Sequence, residues 1–171
     1  MKNSLASGFY FIRHGESVNN RAQLVNGWTD CDLTENGEQS AAIAGETLRD
    51  YNITRIVTSD LKRAVKTAEI IADKINYHGP IETYAELRER NWGIYENKPI
   101  SERPGLNINP ENGESWEVFY ERVTQKLFEM GLDENTLLIG HAGIYRVIQK
   151  MLFNLENQEK LSNCEPVRIH K

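Results

Sequence analysis

The sequence predicts an α/β fold, a three-layer sandwich in which a mainly parallel central sheet is flanked by helices. Short β-rich runs alternate along the chain with longer stretches of 3.6-residue apolar period, the order that builds parallel sheets from strand–helix units. The polar residues of greatest chemical interest fall directly after those runs, where open α/β sheets collect their ligands. With 171 residues, 39% of them hydrophobic and 26% charged, the chain suits one domain, 1–171, with its own core.

The first run, GFYFI at 8–12, ends at Arg13-His14-Gly15. Thr34, a hydroxyl suited to accept an orphan helix N–H, opens a helix whose apolar face carries Ala41, Ala44, Leu48 and Tyr51. A second run, RIVTS at 55–59, leads into a broad stripe made by Leu61, Ala64, Val65, Ala68, Ile71, Ala72 and Ile75. A third, PIETY at 80–84, precedes the charged stretch ELRER. Gly93 to Gly113 has no apolar rhythm and holds three of the five prolines, which reads as a long loop beside a site. A helix follows with Trp116, Phe119, Tyr120, Val123 and Leu127 on one face. The fourth run, TLLIG at 136–140, ends at His141-Ala142-Gly143 and leads into a helix with Ile144, Val147, Ile148 and Met151. The tail VRIHK offers an edge strand.

Composition narrows the function. A net charge of -5 and no Lys/Arg block argue against a nucleic-acid partner. Only Phe9 to Ile12 form a continuous apolar stretch near the start, too short for a signal core or a membrane span, so a cytoplasmic location without membrane contact is expected. Cys31 and Cys164 are isolated, and neither a disulfide framework nor a zinc site is expected from them. No HExxH-type spacing is present, which argues against a metallohydrolase using the histidines. No metal or cofactor is expected. Oligomeric state is not legible in these patterns.

Histidines and arginines converging at one sheet edge have a specific chemical use. Guanidinium forks match phosphoryl oxygens and offset the charge that spreads over them during transfer. A neutral imidazole can attack phosphorus and form a phosphoenzyme, dividing one hard displacement into two easier ones. Gly15 would let the backbone turn tightly behind such a nucleophile. A leaving alkoxide needs a proton, and Glu86 or Glu89, just past the third strand run, could supply it.

Arg13-His14-Gly15-Glu16-Ser17 with Asn20, GWTDCDLTENG at 27–37, TSDLKRAVKTA at 58–68, LRERNWG at 87–93, GES at 113–115 and GHAGIYR at 140–146 together resemble the histidine phosphatase superfamily, in particular its phosphoglycerate mutase branch. The motifs stand in the family's order over nearly the whole chain. The resemblance implies that His14 becomes phosphohistidine, with Arg13 and Arg63 on the phosphate, His141 donating to its oxygens and Glu89, preferred to Glu86, as general acid and base. It places Asn20 on the transferred phosphate; Ser17, which could equally cap its loop, Gly27, which could equally serve a turn, and Ala142 are the further candidates at the substrate.

The departures point to a hydrolase. Mutases of this branch carry a longer insertion with further basic residues and a tail that shields the phosphoenzyme. Here the corresponding segment is only Gly93 to Gly113, with Lys98 and Arg103, and the chain ends shortly after the fourth helix. Asn97 and Asn26 also depart from residues common in relatives. The expected activity is therefore metal-independent hydrolysis of a small phosphomonoester, a monophosphate in preference to a bisphosphate. A mutase acting within a glycerate, a protein phosphohistidine phosphatase and a non-catalytic phospholigand module on the same fold are the alternatives. Trp28 and Trp92 are expected to pack over a core edge, and His78 and His170 to lie at the surface.

Overall fold

The computed structural model describes residues 8–155 and 161–170. Five strands form one sheet: β1 (Phe9–Arg13), β2 (Arg55–Thr58), β3 (Ile81–Thr83), β4 (Thr136–Gly140) and β5 (Pro166–Ile169), in spatial order β3-β2-β4-β1-β5. All neighbouring pairs are parallel except β1 with β5, so the tail strand adds itself antiparallel at the edge. The α/β sandwich read from the sequence is the fold observed.

Alternation along each strand divides the core. Phe9, Phe11, Val57 and Leu138 face one side and pack on Phe119, Val123 and Leu127 of α4 (Trp116–Met130) and Ile144, Val147 and Ile148 of α5 (Ala142–Phe153). Ile12, Ile56, Leu137 and Ile139 face the other side and meet α2 (Glu35–Leu48) and α3 (Lys62–Lys74) through Ala41, Ala44, Ala64, Ala68 and Ile71. A strand buried on both faces must be apolar at successive positions, which explains why β4 reads as a continuous apolar run. Each such side chain contributes about 1.5–3 kcal/mol by leaving water.

The caps follow local chemistry. The Thr34 hydroxyl accepts from Gly37 N at 3.0 Å and opens α2, and Ser115 accepts from Val118 N at 3.1 Å to open α4, which ends on left-handed Gly131. At α3, Leu61 occupies the cap position without a capping side chain, and Asp30 accepts from Lys62 N at 2.8 Å instead. Tyr51, placed on the α2 face by its spacing, lies three residues past the end of that helix and is 44% exposed. A further four-residue helix, α1 (Val18–Arg21), is too short to show a period in the sequence. The segment from Gly93 to Gly113 holds two 3₁₀ turns, Gly93–Tyr95 and Ile100–Glu102, and is pinned by Arg90, which donates to the carbonyls of Leu106, Ile108 and Glu114 at 2.7, 2.9 and 2.9 Å.

Sheet register positions the site. Arg13 pairs with Gly140 across β1 and β4, and Thr58 pairs with Ile139 across β2 and β4. The residues that follow, His14, Ser59 and His141, therefore leave the same sheet edge side by side.

Candidate active site

His14 is 3% exposed, and its Nδ1 lies 2.7 Å from the Gly15 carbonyl oxygen. A carbonyl can only accept, so in the neutral ring Nδ1 carries the proton and Nε2 keeps the free lone pair. Burial, with the charges of Arg63 and Arg13 next, holds the imidazole well below its usual range and therefore neutral, the form in which it is a nucleophile. Gly15 itself does not adopt the left-handed backbone. Its need is close approach: a Cβ there would stand 2.5 Å from the Gly37 carbonyl oxygen at the start of α2. The Gly15 N–H donates to Thr67 Oγ1 on α3 at 3.0 Å, so two helices hold the loop from either side.

The His141 ring centroid is 5.1 Å from that of His14. Its Nε2 meets Ser59 Oγ at 2.7 Å, and its buried Nδ1 has no partner among the described residues. Burial, followed by the fields of Arg63 and His14, keeps this imidazole neutral as well.

Arg63 is 0% exposed and donates through its two terminal nitrogens to the carbonyls of Thr29 and Gly27, each at 2.8 Å. Among the described residues its Nε has no partner, and neither has that of Arg13, whose Nη1 donates to Leu161 O at 3.0 Å. Desolvation draws both guanidiniums below the ordinary arginine range. Two buried cations with donors unfilled by the described residues are poised for an anion.

Glu89 lines a cavity of about 550 Å³ together with Arg13, Asn20, Ala142 and Gly143. Its two carboxylate oxygens accept from Arg90 N at 2.7 Å and Gly143 N at 2.9 Å. Its carbonyl receives Trp28 Nε1 at 2.7 Å. Arg122 braces the same segment by donating to the Glu86 carbonyl at 2.7 Å while forking onto Glu114 at 2.8 Å. Glu86 is exposed and lies outside the cavity lining, which separates the two carboxylates that the sequence leaves as alternatives.

The remaining residues assigned to the substrate divide. Asn20 and Ala142 line the cavity. Ser17 is 0% exposed, caps α1 and accepts from Asn26 Nδ2 at 3.2 Å, and it does not line the cavity. Gly27 serves through its carbonyl on Arg63 and through its left-handed backbone (φ 53), where a side chain would strike the Glu96 carboxylate. Glu96 gathers that loop by accepting from Trp28 N, Thr29 N and Thr29 Oγ1 at 2.8, 2.7 and 2.8 Å. Trp28 has Arg88 over its ring at 5.0 Å, whereas Trp92, expected to pack over a core edge, lines the cavity with Arg90 and Arg103 over its ring at 4.5 and 4.9 Å.

Sequence reasoning missed several participants. Leu161, Ser162 and Asn163 line the cavity, and Asn163 Nδ2 donates to the His14 carbonyl at 2.6 Å. Arg103 from the long loop is joined in the lining by Arg90 and by Arg146 of α5, which the charge count over Gly93 to Gly113 left out. The only signal for Asn163 was its nearness to the tail strand, and Ser59 read as no more than a strand end.

A neutral imidazole with a free Nε2, buried guanidiniums around it, a second imidazole 5.1 Å away and a carboxylate on the cavity wall define a site able to hold and accept a phosphoryl group. The chain belongs to the histidine phosphatase superfamily (branch 1), whose family model it matches over residues 9–169. It is 34% identical to a probable phosphoglycerate mutase GpmB from Erwinia tasmaniensis over 180 residues, covering 94% of this chain and 83% of that one. Among solved structures it is similar to a phosphoglycerate mutase from Thermus thermophilus (28% identity, TM-score 0.77, 95% and 92% of the two chains). It is equally similar in fold to a putative alpha-ribazole-5'-P phosphatase from Escherichia coli (25% identity, TM-score 0.77, 86% and 80%). Members of the superfamily are phosphoryl-transfer enzymes, mutases or phosphatases. Among the described residues no helix is long and apolar enough to cross a membrane.

Proposed function

We propose that the protein is a metal-independent phosphomonoester hydrolase that works through phosphohistidine on His14. The observation that carries the reading is the buried, neutral His14 next to Arg13 and bonded by Asn163, both of which line, with Glu89, a cavity of about 550 Å³, a volume in the range that encloses drug-sized ligands and larger than a three-carbon glycerate fills. It leaves space for a bulkier leaving alcohol and then for water. In the first step His14 Nε2 attacks phosphorus, the P–O bond to the alcohol breaks, and protonated Glu89 gives its proton to the departing oxygen. In the second, water attacks the phosphohistidine, Glu89 takes its proton, and the P–N bond breaks to release inorganic phosphate. Arg13, Arg63 and His141 hold the oxygens throughout. The partner is a small phosphorylated molecule, and the setting proposed is the cytoplasm.

Incubation with an aryl phosphate in excess chelator tests this directly, with turnover expected for the parent and none for His14→Ala. Equal rates for the two would overturn it, and absence of turnover from any phosphomonoester would leave the binding-module reading. The mutase reading is favoured by the names of the relatives above and by Leu161, Ser162 and Asn163 closing one side of the cavity. It requires a phosphoenzyme that persists for minutes with little free phosphate, and transfer between phosphoglycerates. A panel of sugar, glycerate, nucleotide and phosphoprotein substrates would then fix the specificity, and because Arg90, Arg103 and Arg146 all line the cavity it should include bisphosphates beside the monophosphates.

A further inference from the structure

Ser59 has no place in the mechanism above, yet it is fully buried and makes a short hydrogen bond to a residue that does. Both Ser59 and His141 are 0% exposed, and Ser59 Oγ lies 2.7 Å from His141 Nε2. Two arrangements of protons are available. If the ring carried its proton on Nε2, the imidazole would donate to Ser59. The serine proton would then have no acceptor among the described residues, and Nδ1 would be a bare, buried lone pair, two unsatisfied groups in all. If Ser59 donates to Nε2 instead, its proton is used and the ring proton sits on Nδ1, leaving one unsatisfied donor. The backbone N–H of Leu61, 3.4 Å from Ser59 Oγ, adds a donor on the oxygen side and favours the same direction.

We infer that Ser59 is a positioning residue that fixes the tautomer of His141, so that Nδ1–H, which has no partner among the described residues, is presented as a donor to a phosphoryl oxygen. The inference rests on the phosphoryl-transfer reading of the site. It explains how one imidazole in a pair can serve as nucleophile while its neighbour serves as donor. His14 is locked by the Gly15 carbonyl with its free lone pair on Nε2, and His141 is locked by Ser59 with its free proton on Nδ1. Opposite partners, an acceptor and a donor hydroxyl, give two neutral rings 5.1 Å apart opposite duties. The hydroxyl can rotate, so if the bound phosphoryl charge draws a second proton onto His141, Ser59 accepts from Nε2–H without any movement of heavy atoms.

The charged and titratable groups that bear on His141 are Arg63 on α3, His14 and Arg13 at the end of β1, and Arg122 on α4. The charges of the three arginines resist protonation of His141, so the tautomer of its neutral form matters at working pH.

The test is spectroscopic and kinetic. In protein labelled with ¹⁵N-histidine, the four histidines are assigned with His141→Gln, and the nitrogen shifts at pH 7.5 read where the His141 proton sits. The expected result is Nδ1–H in the parent, a mixture or a switch to Nε2–H in Ser59→Ala, and recovery in Ser59→Thr. A proton on Nε2 in the parent, or an unchanged tautomer in Ser59→Ala, would overturn the inference. In the aryl phosphate assay, Ser59→Ala should lose about 10- to 100-fold in kcat, less than removal of a whole triad orienter. Burial and the neighbouring arginines hold His141 neutral, so the rate should follow the tautomer, with Ser59→Thr recovering Nδ1–H and kcat together. Recovery of kcat in Ser59→Thr without recovery of Nδ1–H would mark a merely structural role. Absence of turnover in the parent would defeat the hydrolase reading alone, since the nitrogen shifts decide the tautomer without activity.

Discussion

Gly143→Ala separates the stability of this fold from its activity. Gly143 lies in the first turn of α5, and its N–H donates to Glu89 at 2.9 Å. A Cβ added there would stand 2.9 Å from Glu89 Cδ, closer still to Oε1, and 3.0 Å from Phe119 Cζ. Ordinary contact begins near 3.4 Å, so the ring must give by a few tenths of an ångström and the carboxylate by more. The carboxylate is the end of a flexible side chain facing a cavity, so it can swing aside, giving up its hydrogen bonds from Arg90 N and Gly143 N. Replacing glycine by alanine in a helix returns about 0.5–1 kcal/mol, which offsets part of that loss. The melting temperature should therefore fall by only a few degrees, with the fold intact. Displacing the proton donor by about 1 Å, however, costs about 100-fold in rate. The assay is kcat/KM on an aryl phosphate beside thermal unfolding of the same preparation. Activity within about twofold of the parent, with the fold intact, would refute the placement of Glu89 as the proton-transfer group.

Other perturbations probe the supports. Glu96→Gln puts an amide NH₂ among N–H donors in the loop whose Gly27 and Thr29 carbonyls hold Arg63. It should cost about 2–4 kcal/mol in urea unfolding and weaken inhibition by inorganic phosphate. Arg90→Lys cannot reach the three carbonyls that Arg90 bridges, so limited proteolysis should open the chain near residues 104–110 while β1 to β5 stay protected. His14 and His141 are held neutral well below the unfolded value of 6.5. The unfolded chain binds these protons first, so stability is complete above about pH 6.5 and falls below it, by up to about 1.4 kcal/mol per pH unit for each histidine. Urea titrations between pH 7.5 and 5 should show that slope, reduced in His141→Gln; a flat or rising stability toward acid would contradict it.

Fold class and the candidate reacting groups are legible in the amino-acid sequence alone. Its apolar runs are long enough to be buried on both faces, and the alternation of Phe9 and Phe11 with Ile12 assigns side chains to opposite layers without further information. The motif residues His14, His141, Arg13 and Arg63 were legible because each immediately follows or opens an element whose period is clear. What the tertiary structure decided is everything that depends on distance between segments remote in sequence. Glu89 and Glu86 are alike in residue type within ELRER, and the family motif alone favours Glu89; the cavity wall and the backbone N–H of Gly143, 54 positions away, show where the Glu89 carboxylate is held. The tail lines the cavity because β5 pairs with β1 and carries Leu161 and Asn163 back to the nucleophile, a consequence of register that no local pattern encodes. Tautomers belong to the same class. Which nitrogen of His14 or His141 holds the proton depends on a single donor or acceptor within 2.7 Å, the Gly15 carbonyl for one and Ser59, 82 positions distant, for the other. Composition and periodicity report burial, an average over many contacts, whereas the chemistry of this site rests on a few directional bonds that exist only once the chain has closed.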